Sequence, residues 1–367
     1  MSNTTPSAVT ETTTTTISSL DLYLSLIQIP AITTQFYLWG YLITFLLGFT
    51  GNTLSLLTFS RSTLRNISTG CLFIILAISD TLYLFISIID FAEFGLKVRL
   101  YHRIDYDQLC RFRMFTICVS QVYSAWLLVI ITSDRWIRTR FPFKSNSICT
   151  RKNALLFASI ILIAVIGLHS HILLPFFGMV LPGIPSLACG ANGNNAEYVT
   201  FYYYQWTIIQ IITTSLGPAV LMIIMVMDIS IKIRAQKKLV ASHLEPISGY
   251  RSARSDKRIH NQMILLMLST IGIFFITTLP ITIDDLVAVH TITDLSDLSQ
   301  LFIIRTILNW LQSLNCAVNF YVYCLTSTLF RKEFTQLVGI IRGRRELSLQ
   351  AQTHMRTIHV TQPQQQH

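Results

Sequence analysis

Asp80 stands in an otherwise apolar run, between Leu76-Ala77-Ile78 and Leu82. A carboxylate in lipid is costly unless it faces a bundle interior with partners or water. Polar residues recur at similar depth in other apolar runs: Asn52, Ser124, Asn315 and Asn319. Asn315 and Asn319 are one helical turn apart and share a face. The five could form a hydrated pocket for a small cation or a proton; the plainer alternative is a satisfied polar cluster that joins helices. A second group is Asp134-Arg135, next to Trp136 at the end of a run. Its guanidinium either anchors itself in interfacial water or on Asp134, or acts as a switch that changes partners when helices move. A third group gathers where runs end on the opposite side: Asp90, Glu93, Arg113, Asp284, Asp285 and Arg305, with Tyr203 and Trp206, and Gln121 and Gln210 deeper. Carboxylates there would pair with a guanidinium of a ligand, and the aromatic rings would pack an apolar side chain. Alternatively the charges pair with one another, Arg113 with Asp90 and Arg305 with Asp285. Catalysis is not expected, because His169 and His171 have no matching acid and no Cys/His metal spacing occurs.

The elements that must position these groups follow from composition. Of 367 residues, 51% are hydrophobic and 13% charged, and mean hydropathy is +0.52. Average soluble domains carry about twice that charge share, so a water-soluble enzyme is excluded. Apolar stretches fall at about 36–60, 71–94, 112–135, 153–176, 201–228, 262–286 and 303–326. Each reaches the roughly 20 residues that a spanning helix needs. They lack the alternation of barrel strands, which leaves helices as the way to satisfy the backbone in lipid. The expected fold is therefore an all-α integral membrane protein, a seven-transmembrane helix bundle.

Sidedness follows from Lys and Arg. With the N-terminus outside, the inward connections and tail hold 21 basic residues and the outward segments 3. Basic residues near helix ends favour the cytoplasmic side. The net charge of +10 is thus explained by topology, and a nucleic-acid partner is not expected. No basic segment precedes a short apolar core and cleavage site, so no signal peptide is expected. Asn3-Thr4-Thr5 is a glycosylation sequon in the outward tail. Of seven cysteines, only Cys110 and Cys189 fall at outer ends. A bridge between them would pin the 177–200 loop to the third helix; the alternative is two unbridged thiols. Ser348, Thr353, Thr357 and Thr361 lie in the inner tail, where phosphorylation would create negative charge. The eight basic residues between 229 and 260 would meet an acidic partner or anionic membrane lipid.

The order of motifs resembles that of rhodopsin-like (class A) G-protein-coupled receptors over about residues 35–335. It is carried by Gly51-Asn52, by LAISD ending at Asp80, and by Cys110 with Ser133-Asp134-Arg135-Trp136. Pro218, Phe274, Pro280 and Asn319 to Tyr323 (NFYVY) follow in order. Phe330 to Phe334 (FRKEF) is similar to the family's amphipathic eighth helix. The resemblance implies an extracellular tail over 1–35, a seven-helix receptor domain over 36–328, the short eighth helix over 329–342 and a cytoplasmic tail over 343–367. It implies a plasma-membrane location, a Cys110–Cys189 disulfide, and a sodium ion held by Asn52, Asp80, Ser124, Asn315 and Asn319 in the inactive state. It further implies that Asp134, Arg135 and Tyr323 form the switch for a heterotrimeric G protein once the sixth helix swings outward. Beyond the possible sodium ion no cofactor is implied.

Four residues depart from the family pattern: Trp136 where Tyr is usual, Phe320 in place of Pro, Thr278 in place of Trp, and His260 where an acid usually faces the switch Arg. Retinal is excluded, since residues 301–330 contain no Lys for a Schiff base, and amines are disfavoured by Ile117 in place of Asp. The mixed-charge, aromatic mouth favours a peptide ligand, in particular a neuropeptide. The alternatives are a non-peptide ligand, an uncoupled receptor-like protein motivated by Thr278 and Phe320, and an ion transporter using Asp80, against which stands the lack of an inverted repeat.

Overall fold

The computed structural model describes residues 30–98, 106–179, 189–193, 195–243, 250–291, 295–340 and 342–343. Almost all of them are helical. The long helices are α1 (Ala31–Phe59), α2 (Ser68–Gly95), α3 (Tyr106–Arg140), α4 (Arg151–Leu173), α5 (Ala196–Ala235, helical on to His243), α6 (Tyr250–Thr291) and α7 (Leu295–Thr326). Residues 328–340 form a further helix, α8. The strands β1 (Phe177–Met179) and β2 (Cys189–Ala191) pair as an antiparallel hairpin with Gly178 opposite Gly190.

Among the described residues six helices are long and apolar enough to cross a membrane: α1 to α5, and α6 through Leu265–Val287. The 32-residue α7 is not one of the six, as it carries Arg305, Asn309, Gln312, Asn315 and Asn319. Several helices outrun the apolar stretches that mark them. The apolar part of α3 was expected at 112–135, yet the helix has 35 residues, because lipid thickness limits the apolar run and not the helix. Polar caps set some starts. Thr150 accepts a hydrogen bond from the Asn153 amide at 3.2 Å ahead of α4, and Asn195 accepts one from the Tyr198 amide at 3.0 Å ahead of α5.

Pro218 leaves a visible mark on α5. Residues Ile212–Leu216 widen into a π-turn, in which the Gly217 amide bonds the Ile212 carbonyl. The next amide in that register would belong to Pro218, which has none, so the Thr213 carbonyl loses its helical donor. Trp126 of α3 supplies one, its indole Nε1 donating to that carbonyl at 3.0 Å. A rearranged backbone thereby becomes a link between α3 and α5.

The core runs along the bundle axis, with Leu72, Leu76, Leu84, Leu127 and Met222 fully buried. Near one end it turns aromatic. Phe59 and Phe73 stack at 4.9 Å, Tyr323 lies 4.8 Å from Phe73, and Phe330 of α8 lies 5.0 Å from Phe59. Phe320 is buried here against Phe334 at 5.3 Å. Its large ring therefore helps to seat α8 on α7. Arg61 and Glu333 add an ion pair at 2.9 Å between the connection after α1 and α8.

Candidate functional site

The groups singled out from the sequence fall at three levels of the bundle. Midway, Asp80 is buried on α2. Ser124 of α3 donates to its Oδ1 at 2.9 Å and Asn319 of α7 donates to its Oδ2 at 2.7 Å. Gly51 lets α7 come close to α1, since a Cβ there would lie 3.2 Å from the Phe320 Cβ. The neighbouring Asn52 can then donate from Nδ2 to the Cys316 carbonyl at 3.1 Å. Asn315 is half-buried and stays outside this bonded set, although it shares a helix face with Asn319. Three oxygens nearby in sequence and depth, Asn52 Oδ1, Ser55 Oγ and Ser120 Oγ, are buried without a hydrogen-bond partner. Buried polar atoms are normally satisfied. One carboxylate with spare amide and hydroxyl oxygens is a donor set suited to a hard cation or to water.

The disulfide end carries the charged group. Cys110 on α3 is bridged to Cys189 on β2, with the Cα atoms 5.8 Å apart. Arg111 donates from Nε to the Phe177 carbonyl at 2.6 Å, and the fully buried Phe177 packs on Tyr202 at 5.4 Å. The hairpin is thus fixed to α3 and α5. Arg113 and Asp90 form an ion pair at 2.5 Å with both side chains nearly buried, 8% and 12% exposed. Arg305 spans two carboxylates, from Nε to Asp284 at 3.2 Å and from Nη2 to Asp285, with its side chain 39% exposed. The alternative in which these charges satisfy one another is therefore what the folded chain adopts. Glu93 is also buried at this end. Gln121 is half-buried on α3, and Gln210 is half-buried on α5. One aromatic residue, Trp206, takes a place other than the expected mouth. Trp206 is buried, with its ring 4.2 Å from His171 and 5.1 Å from His169, in the seam between α4 and α5. Tyr203 is exposed, with its ring 5.3 Å from that of Tyr202. The place of Trp206 follows from helix rotation, which a list of residues in order does not contain.

At the opposite end, Asp134 and Arg135 do not pair with each other. Asp134 accepts from Ser68 Oγ at 2.6 Å and from Arg138 Nε at 2.9 Å. Arg138 goes on to the Ser68 hydroxyl at 2.8 Å and the Cys149 carbonyl at 3.0 Å. Arg135 donates from Nη2 to Thr69 Oγ1 at 2.9 Å. It lies between two small cavities. One, of about 60 Å³, is bordered by Thr69, Phe73, Tyr323 and Phe330; the other, of about 30 Å³, by Leu128, Met222, Met267 and Ile271. The Cys149 thiol, 3.6 Å from the Asp134 carbonyl, is pushed up to about 11 by burial and then by the Asp134 charge. Arg138 was legible as the i+4 partner of Asp134. Ser68, Thr69 and Cys149 carried no sequence signal, because only packing of α2 and the connection after α3 brings them in. Asn3, the side chain of His260, and the tail residues Ser348, Thr353, Thr357 and Thr361 lie outside the described residues.

Residues 51–323 match the family model of the 7 transmembrane receptor (rhodopsin family), well over half of the chain. No curated protein matches the chain at a significant level. On the first match, the chain belongs to the rhodopsin family of seven-transmembrane receptors, G-protein-coupled signalling receptors of the plasma membrane.

Proposed function

We propose that this member of the rhodopsin family binds a cationic peptide, a short neuropeptide-like ligand, at its disulfide end and activates a heterotrimeric G protein from its Arg135 end. In this reading α7 is the seventh span, the N-terminus is outside, and α8 lies along the cytoplasmic leaflet. The observation that carries the ligand class is the set of acids at this end, Asp90, Glu93, Asp284 and Asp285, beside Arg113 and Arg305. A guanidinium or ammonium brought by a ligand would compete with Arg305 for Asp284 and Asp285, a more exposed pair and so the easier one to exchange. The Asp90–Arg113 pair is nearly buried and would act as a fixed wall. With the hairpin tied down at Cys189, an extended ligand can lie between it and α6 and α7.

Signalling then requires only that the ligand bind one conformation better than the other. Arg135 would exchange Thr69 for the G protein as α6 moves outward, with Asp134 kept in place by Ser68 and Arg138. Tyr323, now packed among Phe59, Phe73 and Phe330, would turn toward the bundle axis. Asp80, with Ser124, Asn319 and Asn52, would hold a sodium ion in the non-signalling conformation, supplying one formal charge and several oxygen ligands; Asn315 would join only after rotating inward. Ser and Thr of the tail would serve arrestin after phosphorylation, and Asn3 would carry a glycan.

The test is a cell-based G-protein activation assay over a library of short amidated peptides, with Arg135→Ala as control. A response to Arg- or Lys-containing peptides that vanishes in Arg135→Ala supports the reading. Silence across the library at confirmed surface expression sinks the peptide assignment and favours a non-peptide ligand or an uncoupled receptor.

A further inference from the structure

The inner halves of α3 and α5 are parallel and meet through three successive polar contacts. Ser133 Oγ lies 3.2 Å from Met225 Sδ, the Trp136 indole Nε1 donates to Asp228 Oδ2 at 2.8 Å, and Lys232 Nζ donates to the Arg140 carbonyl at 2.6 Å. The offset between partners is 92 residues in every case. On each helix the rungs advance by three and then four residues, so all of them fall on one face. The first rung is the weakest, because the Ser133 proton also faces the Val129 carbonyl at 2.8 Å. The middle rung is charge-assisted and half-buried, which makes it the strongest. It is also the only one made by two side chains with a full N–H donor and a carboxylate acceptor.

The neighbourhood gives this ladder a consequence. Arg135, one residue before Trp136, faces a space of about 30 Å³ between α3, α5 and α6. That is room for a single water and not for a segment of a partner protein, so this face is closed. Opening it requires α5 or α6 to draw away from α3. The α5–α6 bond of Ser215 to Thr282, at 2.6 Å, lies well away on the disulfide side. The ladder therefore opposes opening by withdrawal of α5 from α3.

We propose that Trp136 and Asp228 are positioning residues that latch α5 to α3 and hold the Arg135 face shut in the unliganded receptor. Trp136 stands where the family usually has Tyr, and the reach of its indole N–H to Asp228 is what the larger side chain contributes. The latch rests on the receptor reading above only for its signalling readout; its geometry stands without it.

Two measurements test it. The first is ligand-independent G-protein signalling, normalised to surface level, for Asp228→Leu, Trp136→Phe, the double variant and Asp228→Asn. The latch predicts a severalfold rise for each breaking variant and no further rise in the double. Asp228→Asn, which keeps the accepting oxygen, should stay near wild type. The second is the spin-label distance between the Arg135-side ends of α3 and α5 in micelles, which needs no signalling partner. It should lengthen or broaden for Asp228→Leu and remain as wild type for Asp228→Asn. An unchanged distance in Asp228→Leu overturns the latch whatever the signalling result. A changed distance with no signalling in any variant, wild type included, keeps the latch and instead counts against the coupling assignment.

Discussion

The two ends of the bundle are held by different chemistry. The disulfide end uses a covalent bond and guanidinium–carboxylate pairs: Cys110–Cys189, Arg113–Asp90, and Arg305 with Asp284 and Asp285. The Arg135 end relies on hydroxyl and indole hydrogen bonds and on stacked rings. Ser68 and Thr69 serve Asp134 and Arg135, Trp136 serves Asp228, and Phe59, Phe73 and Phe330 pack round Tyr323. Its ion pairs, Asp134–Arg138 and Arg61–Glu333, are partly exposed on the arginine side, less so than the Arg305 pairs of the disulfide end. The covalent bond and the nearly buried Arg113–Asp90 pair are expensive to break, whereas the separate charge-assisted hydrogen bonds of the Arg135 end are worth about 1.5–3 kcal/mol each. The first end is pinned by a covalent bond, and the second by several separate hydrogen bonds that can break one at a time.

The sharpest way to break this contrast is at the disulfide. Cys110→Ser should cost about 2–5 kcal/mol and strongly reduce folded receptor at the cell surface, measured by labelling of intact cells. Wild-type surface levels would mean that the hairpin is held by Arg111 and Phe177 alone. Next in size is the difference between the two arginines. Arg113→Ala strands a nearly buried Asp90 and should cost about 3–5 kcal/mol. Arg305→Ala, at a more exposed pair, should cost about 1 kcal/mol or less. Thermal unfolding in micelles reads both, and equal losses would erase the distinction between fixed wall and exchangeable pair.

The smallest effect concerns Cys149 at the Arg135 end. Its thiol is pushed up to about 11, so it stays protonated at neutral pH, and any stability gained from this is lost only as pH rises toward that value. Alkylation of Cys149 by iodoacetamide should therefore be slow at pH 7–8 and accelerate only well above pH 9. Fast reaction at pH 7 would show that Asp134 and burial do not govern the thiol.

Much of the fold was legible in the residues because lipid imposes a strict rule. About 20 apolar residues are needed per span, and the runs around 36–60 through 262–286 each overlap a helix that meets it, although the fourth, 153–176, overshoots α4, which ends at Leu173. Helix ends were less legible, since α3 and α5 extend past the bilayer-length run on polar residues that no lipid rule constrains. The Asp80 partners could be chosen by depth, and Ser124 and Asn319 do bond it. Asn315 could not be separated from Asn319 in this way. Which of two residues one turn apart reaches a third helix depends on helix rotation, and rotation is set by packing.

By itself the sequence determined that the chain is a helical membrane protein, where its apolar helices run, and which polar residues must find partners inside. Those conclusions need only local hydropathy, spacing and the cost of burying charge. Tertiary structure alone decided the partners: Arg135 with Thr69 instead of Asp134, Trp206 with two histidines instead of the mouth, and Trp136 with Asp228 across a 92-residue gap. A side chain's direction is fixed by how its helix is turned and shifted against its neighbours, and that is a property of the whole bundle.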